Sequence, residues 1–262
     1  MKKILYPVLA LLCSCGGPQK KQAAEEPVAE AEMLVSEPEY FELRTYYCYP
    51  GKLEDLLSRF EDHTMALFEK HGMVNMAYWV PLENSENKLV YLMGYPDRAS
   101  RDRSWAAFAE DPEWKGVWEA SRANGPIVDS VTQHFMTYTD YSPRMAAADA
   151  SPRIFSLRTY YTFPGKLEGL NARFRDHTME IFTRNGMTNI GYFLMDPEDP
   201  GHENILKYLI TFPDTAARTA SWKSFGDDPA WKAAYENSIR DGRLVDSITA
   251  DLLVPTRFSP IK

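Results

Sequence analysis

Five pairs of side chains in this 262-residue chain have the chemistry of a binding or catalytic site: His63 and His177, Arg44 and Arg158, Tyr46 and Tyr160, Asn75 and Asn189, Tyr78 and Tyr192. An imidazole on a partly buried helix face serves as a base, a haem ligand or a hydrogen-bond partner. His63 follows Phe60 by three and precedes Leu67 by four, so an α-helical period puts it on the apolar stripe that faces the sheet. Bonded to a strand tyrosine or a backbone carbonyl, it is instead a satisfied core histidine. Arg44 and Arg158 read as mid-strand residues beside Tyr46 and Tyr160. Inside a barrel such a guanidinium clamps a carboxylate or phosphate. The competing reading is a buried ion pair, for which Glu42 is available in the first copy only. Asn75 and Asn189 are expected on the same side as Trp79 and Phe193, where an amide orients a ligand or satisfies a strand end. Tyr78 and Tyr192 read as packing residues with a bonded hydroxyl.

The pairs exist because the chain repeats itself. Leu43-Arg44-Thr45-Tyr46-Tyr47 returns as Leu157-Arg158-Thr159-Tyr160-Tyr161, and Pro50-Gly51-Lys52-Leu53-Glu54 returns as Pro164-Gly165-Lys166-Leu167-Glu168. Asp62-His63-Thr64-Met65 returns as Asp176-His177-Thr178-Met179. The offset is 114 here and 117 by Trp105 and Trp222, so the second copy carries three extra residues between these blocks. A period of this length is a whole folded unit, since solenoid repeats run about 20–50 residues.

The elements that position these side chains follow from the local pattern. Residues 40–49 are rich in β-favouring aromatics and predict a strand. Pro50-Gly51 breaks it. Leu53, Leu56, Leu57, Phe60, Thr64, Leu67 and Phe68 form one helical stripe over 52–71, and Gly72 ends it. Residues 73–81 and 88–95 predict two strands across a polar turn. Asp97 caps a second helix to about residue 109. Asp111-Pro112 opens a third to about 123, which makes capping the better account of Asp111 and Asp228 than catalysis. Residues 127–138 predict the fourth strand. Trp105, Trp114, Trp222 and Trp231 fall at helical positions and read as core anchors. The order is βαββαβ, the ferredoxin-like split unit. One such sheet has helices on one face only, and a second copy can cover the other. The fold class is therefore α+β, with two tandem ferredoxin-like repeats whose antiparallel sheets close into an eight-stranded barrel with helices outside. The domains run 39–143 and 153–262, joined by a linker over 144–152.

The first fifteen residues read as a targeting leader: Lys2 and Lys3, an apolar run from Ile4 to Leu12, then Cys13-Ser14-Cys15. The run is shorter than the ~20 residues of a membrane span. Ser14 before Cys15 resembles a bacterial lipobox, so Cys15 is the expected lipidation site, the alternative being an ordinary secretory signal. Residues 16–38 hold few large apolar side chains and read as a flexible tether. The expected location is the bacterial cell envelope, lipid-anchored on a periplasmic or extracellular face. Cys48 corresponds to Thr162 in the second copy and reads as packing. The net charge is −8 with no basic stripe, which argues against nucleic acid. No zinc-protease, nucleophile-elbow or phosphate-loop motif appears, and no metal ligands cluster. The acidic insert from Asp196 to Glu203 reads as a solvated loop.

The ordered set Leu-Arg-Thr-Tyr-Tyr, Pro-Gly-Lys-Leu-Glu, Asp-His-Thr-Met, Gly-Met-x-Asn, Tyr78 and Trp105-x-x-Phe108-x-x-Asp111-Pro112-x-Trp114, present twice, resembles the NIPSNAP family. The likeness covers about 40–143 and 154–260, closing at Tyr141-Ser142-Pro143 and Phe258-Ser259-Pro260. It implies the dimeric α/β-barrel superfold and carries no residue-level activity. Relatives by fold include haem-binding enzymes and small monooxygenases, which is a likeness of fold and not of function. The function expected from the whole is binding of a small apolar or aromatic ligand or of a protein partner, with a homo-oligomer also compatible. The alternatives are a haem-dependent or cofactor-free oxygenase using His63 or His177, and a purely structural assembly role.

Overall fold

The computed structural model describes residues 37–145 and 153–262, so the expected leader, lipid site and tether up to residue 36 lie outside the described residues. The first half runs β1 (Tyr40–Cys48), α1 (Leu53–Arg59), a π-helical turn (Phe60–Thr64), α2 (Met65–Lys70), β2 (Val74–Pro81), β3 (Lys88–Tyr95), α3 (Arg98–Glu110), α4 (Pro112–Ser121) and β4 (Val128–Tyr138). The second half repeats it as β5 (Ile154–Thr162), α5 (Leu167–Arg173), a π-turn (Phe174–Thr178), α6 (Met179–Arg184), β6 (Thr188–Met195), β7 (Ile205–Phe212), α7 (Thr215–Asp227), α8 (Pro229–Ser238) and β8 (Val245–Pro255). A short 3-10 turn (His202–Asn204) precedes β7.

Local chemistry sets these boundaries. The Asp97 carboxylate accepts from the Ser100 amide at 2.6 Å and caps α3, and Asp214 does the same for α7 from Ala217 at 2.7 Å. Asp111 accepts from the Glu113 amide at 2.8 Å with Pro112 in the first turn, the expected cap of α4. Gly72 takes φ 75° where α2 ends. Among the described residues no helix is long and apolar enough to cross a membrane.

The eight strands close in the order β1-β3-β2-β8-β5-β7-β6-β4, every pairing antiparallel. Each half contributes four, and the closures are β2 with β8 and β4 with β6. Strand alternation then yields two kinds of core. Phe41, Leu43, Trp79, Leu92, Phe155, Phe193, Leu209 and Leu253 fill the barrel. Rings from the two halves meet there: Phe41 and Phe193 are 5.3 Å apart, Trp79 and Phe155 5.6 Å. Burying each such side chain is worth about 1.5–3 kcal/mol, which holds the halves as one body. The outward faces pack under the helices, around Phe60, Phe68, Tyr78 and Tyr91 in one half and Phe174, Phe182, Tyr192 and Tyr208 in the other.

The acidic insert departs from expectation. Asp196 is buried, accepts from the Tyr40 hydroxyl at 2.7 Å and pairs with Arg98 at 3.2 Å. Its amide donates to the Phe135 carbonyl at 2.8 Å, and Asp199 accepts from the Phe135 amide at 3.2 Å. The first half makes the same rung without the extra residues, from the Leu82 amide to the Leu252 carbonyl at 2.8 Å, so the ladder continues by the barrel's internal symmetry, a long-range pairing that local composition does not signal.

Candidate functional site

Between the outward sheet face and the helices each half holds a cavity. The first, about 300 Å³, is lined by Tyr46, Arg59, Phe60, Trp105, Trp114, Trp118 and Val131, among others. The second, about 350 Å³, is lined by Tyr160, Arg173, Trp231, Tyr235, Leu244 and Ile248. Both are at the small end of the ligand-pocket range.

Arg59 and Arg173 are the centre of this arrangement. Each is the last residue of its helix before the π-turn, and each is buried, at 7% and 6% exposure. The Thr64 hydroxyl donates to the Arg59 carbonyl at 3.1 Å, and Thr178 to the Arg173 carbonyl at 3.0 Å, which fastens the wider turn. The guanidinium of Arg59 donates to Ser121 Oγ at 3.1 Å and lies 5.4 Å from the Trp114 ring. That of Arg173 donates to Ser238 Oγ at 3.2 Å and lies 5.3 Å from Trp231. Both Nε atoms are buried without an acceptor among the described residues. Neither guanidinium has a carboxylate partner among the described residues. Burial pushes both pKa values down, but an arginine keeps its charge in a protein. Each cavity thus holds a permanent, incompletely satisfied cation among aromatic rings. Neither arginine stands out in the sequence, where a helical arginine reads as solvated. The one signal is that Arg-Phe recurs at the 114-residue offset.

The residues expected from sequence are distributed differently. Tyr46 and Tyr160 line the two cavities. His63 and His177 do not face the sheet: both are exposed. The π-turn spanning each histidine carries more residues per turn than an α-helix, so the stripe passes to Thr64 and Thr178, which are buried. His63 borders a separate surface groove with Asp55, Asp62 and Val117. Asn75 and Asn189 do not share a side with Trp79 and Phe193. A β-bulge after each asparagine shifts the register, so the amide faces the helices while Trp79 and Phe193 enter the barrel. Asn75 Nδ2 donates to the Met65 carbonyl at 3.1 Å and to Glu69 at 2.9 Å, and its Oδ1 accepts from the Tyr78 hydroxyl. Asn189 repeats this with the Met179 carbonyl at 3.0 Å and the Tyr192 hydroxyl. These four residues tie sheet to helix.

Arg44 also lies on the outward face, under the helices and not inside the barrel. Its guanidinium pairs with Glu42, donates to Gln133 at 2.9 Å and stacks 4.4 Å from the Trp105 ring. Glu42 is fully buried and accepts from Arg101 Nε and Nη2, each at 2.9 Å, and from Trp105 Nε1 at 2.9 Å. Burial alone would raise its pKa; the Arg101 and Arg44 hydrogen bonds and charges outweigh that and hold the carboxyl below its usual range. Arg158 occupies the equivalent station, 4.6 Å from the Trp222 ring, with no carboxylate acceptor among the described residues. Cys48 is buried and has no disulfide partner among the described residues.

A haem held by His63 or His177 does not fit this geometry, because both imidazoles are on the surface and neither cavity lining includes a histidine. Among the described residues no cluster of three acidic, histidine or cysteine side chains is placed to hold a metal ion.

Comparison with known proteins agrees with this architecture. A family model described as NIPSNAP matches residues 41–143 and again 155–260. The human protein NipSnap homolog 3A is 24% identical over 227 residues, covering 85% of this chain and 86% of its own length. A candidate monooxygenase from Fusobacterium nucleatum superposes with a TM-score of 0.51 at 10% identity, over 84% of this chain and 93% of the other. Another from Lactobacillus acidophilus gives 0.51 at 12% identity, over 84% and 94%. At such identities these structures speak for the fold alone.

Proposed function

The chain belongs to the NIPSNAP family, and from that premise we propose that it is a binding protein whose two helix–sheet cavities each take a small aromatic or apolar ligand carrying a hydrogen-bond acceptor. The observation that carries this reading is the buried guanidinium of Arg59 and Arg173, twice placed in an aromatic cavity without a carboxylate. Rings supply the apolar contact and the cation–π face, and the arginine orients the acceptor. Titration with phenol, benzyl alcohol and benzoate, followed by tryptophan fluorescence, tests it: Trp114 and Trp231 line the cavities, and binding should weaken in Arg59→Met and Arg173→Met. A flat response to all three compounds would sink the idea. The oxygenase alternative through His63 or His177 gains no support from imidazoles that lie outside both cavities.

A second reading, a protein partner or homo-oligomer, is favoured by one feature. The stretches 128–134 and 245–251 each have a strand neighbour on one side only, and Val131 and Ile248 on them are exposed. Such edges accept a further strand. Sedimentation of Val131→Lys/Ile248→Lys against the parent checks it.

We further propose attachment to a bacterial membrane through lipid on Cys15, supported by the basic start, the apolar run and Ser14. Cys15→Ala should move the protein out of the membrane fraction.

A further inference from the structure

The internal repeat allows each half to act as a control for the other, and one cluster differs in a single chemical sense. In the first half Arg44, Arg101 and Trp105 surround the Glu42 carboxylate. All three donors recur in the second half, as Arg158, Arg218 and Trp222. Four groups that accept from them are replaced: Glu42 by Ser156, Gln133 by Ala250, Tyr95 by Phe212 and Asp102 by Thr219. The stations are equivalent in the ladder, since Arg44 pairs with Tyr91 and Gln133, and Arg158 with Tyr208 and Ala250.

The frame around Arg158 and Trp222 is unchanged. Arg158 lies 4.6 Å from the Trp222 ring and 5.6 Å from Tyr160, against 4.4 Å and 5.5 Å for Arg44 with Trp105 and Tyr46. Trp222 is 5.6 Å from Phe182 and 5.7 Å from Phe225, against 5.4 Å and 5.7 Å for Trp105 with Phe68 and Phe108. Among the described residues Trp222 Nε1, Arg218 Nε and Ser156 Oγ are all buried without a hydrogen-bond partner, and Ser156 is fully buried. The first-half equivalents of two of them, Trp105 Nε1 and Arg101 Nε, donate to Glu42 Oε2 at 2.9 Å.

Buried donors normally keep partners, and buried charge above all. A set that keeps its donors while losing the carboxylates and the amide that accepted from them is built to receive an acceptor from outside. Arg101 grips Glu42 in parallel through Nε and Nη2, the fork that matches a planar carboxylate, and Arg218 retains that fork. We propose that Ser156, Arg158, Arg218 and Trp222 form a recognition site for a small organic carboxylate in the second half, its carboxyl group taking the position that Glu42 holds in the first. Tyr160 adjoins Arg158 and also lines the second cavity, so the apolar remainder of the acid extends there. The proposal rests on the cavity reading for that remainder only.

The test uses the purified full chain, with benzoate and its neutral analogue benzyl alcohol as probes, read by calorimetry and thermal shift. Ser156→Glu installs the first half's acid. It should raise the melting temperature by about 2–4 °C and weaken benzoate binding at least about tenfold, leaving benzyl alcohol unaffected. Arg218→Met, which does not depend on fitting a larger side chain, should weaken benzoate by a similar factor. Benzoate binding unchanged in both variants overturns the carboxylate site. If that binding falls in Arg173→Met, the cavity reading survives on its own. Loss in Ser156→Glu and Arg218→Met without loss in Arg173→Met supports the carboxylate site and removes the cavity. No binding of either probe overturns both.

Discussion

Arg101 holds Glu42 through two parallel hydrogen bonds of 2.9 Å, while its Nη1 reaches the exposed Asp102 at 3.1 Å. Glu42 is fully buried with Arg44 on its other side. Glu42→Ser should destabilise the protein by about 3–5 kcal/mol, because it strips the buried Arg44 of its carboxylate and leaves Arg101 only the exposed Asp102. Urea unfolding measures this. Added acetate should restore part of the loss, since the variant first half then has the second half's donors around a serine.

Asn75 joins strand to helix and satisfies the Tyr78 hydroxyl, which has no access to water. Asn75→Ala should cost about 1–3 kcal/mol. Asn75→Ala/Tyr78→Phe should cost less than the sum of the single changes, because the second substitution removes the orphaned hydroxyl. Chemical denaturation of the three variants closes the cycle.

Lys207 points into the barrel, 7% exposed, and donates to Thr159 Oγ1 at 2.8 Å. Burial pushes its pKa down from 10.5 to about 8, only partly opposed by Asp251 and Asp199, while His134 is the neighbouring base. The unfolded chain then binds more protons than the folded one between about 8 and 10.5, so stability climbs with pH across that window. Lys207→Met removes the charged form. It should be more stable than the parent at pH 7, by about 3 kcal/mol at most, with the gap closing above pH 10. Melting temperatures of both proteins from pH 7 to 10.5 decide it.

His63 and His177 stand at the surface. His63→Ala/His177→Ala should alter stability by no more than about 0.5 kcal/mol per site and leave phenol affinity unchanged. A large loss of affinity would return the imidazoles to the binding site.

The fold was legible because its signals are local and doubled. Asp97 and Asp111 mark helix starts, Gly72 marks a helix end, and strands such as 88–95 agree with the structure. The site was less legible because two one-residue irregularities decide it. The π-turn at Phe60–Thr64 takes His63 off the buried stripe, and the bulge after Asn75 sends Trp79 to the opposite face from the amide. Periodicity counts residues and cannot see an extra one. Arg59 was hidden for the converse reason: its charge suggested solvent, and only packing shows it beneath Trp114.

The barrel closes within one polypeptide, through β2 with β8 and β4 with β6. Two identical subunits assembled the same way would have to carry one residue at both Glu42 and Ser156, so any change there would strike both sides together. Covalent fusion lifts that constraint. One half can keep its acid as a fixed internal brace while its twin gives up the same acid and specialises.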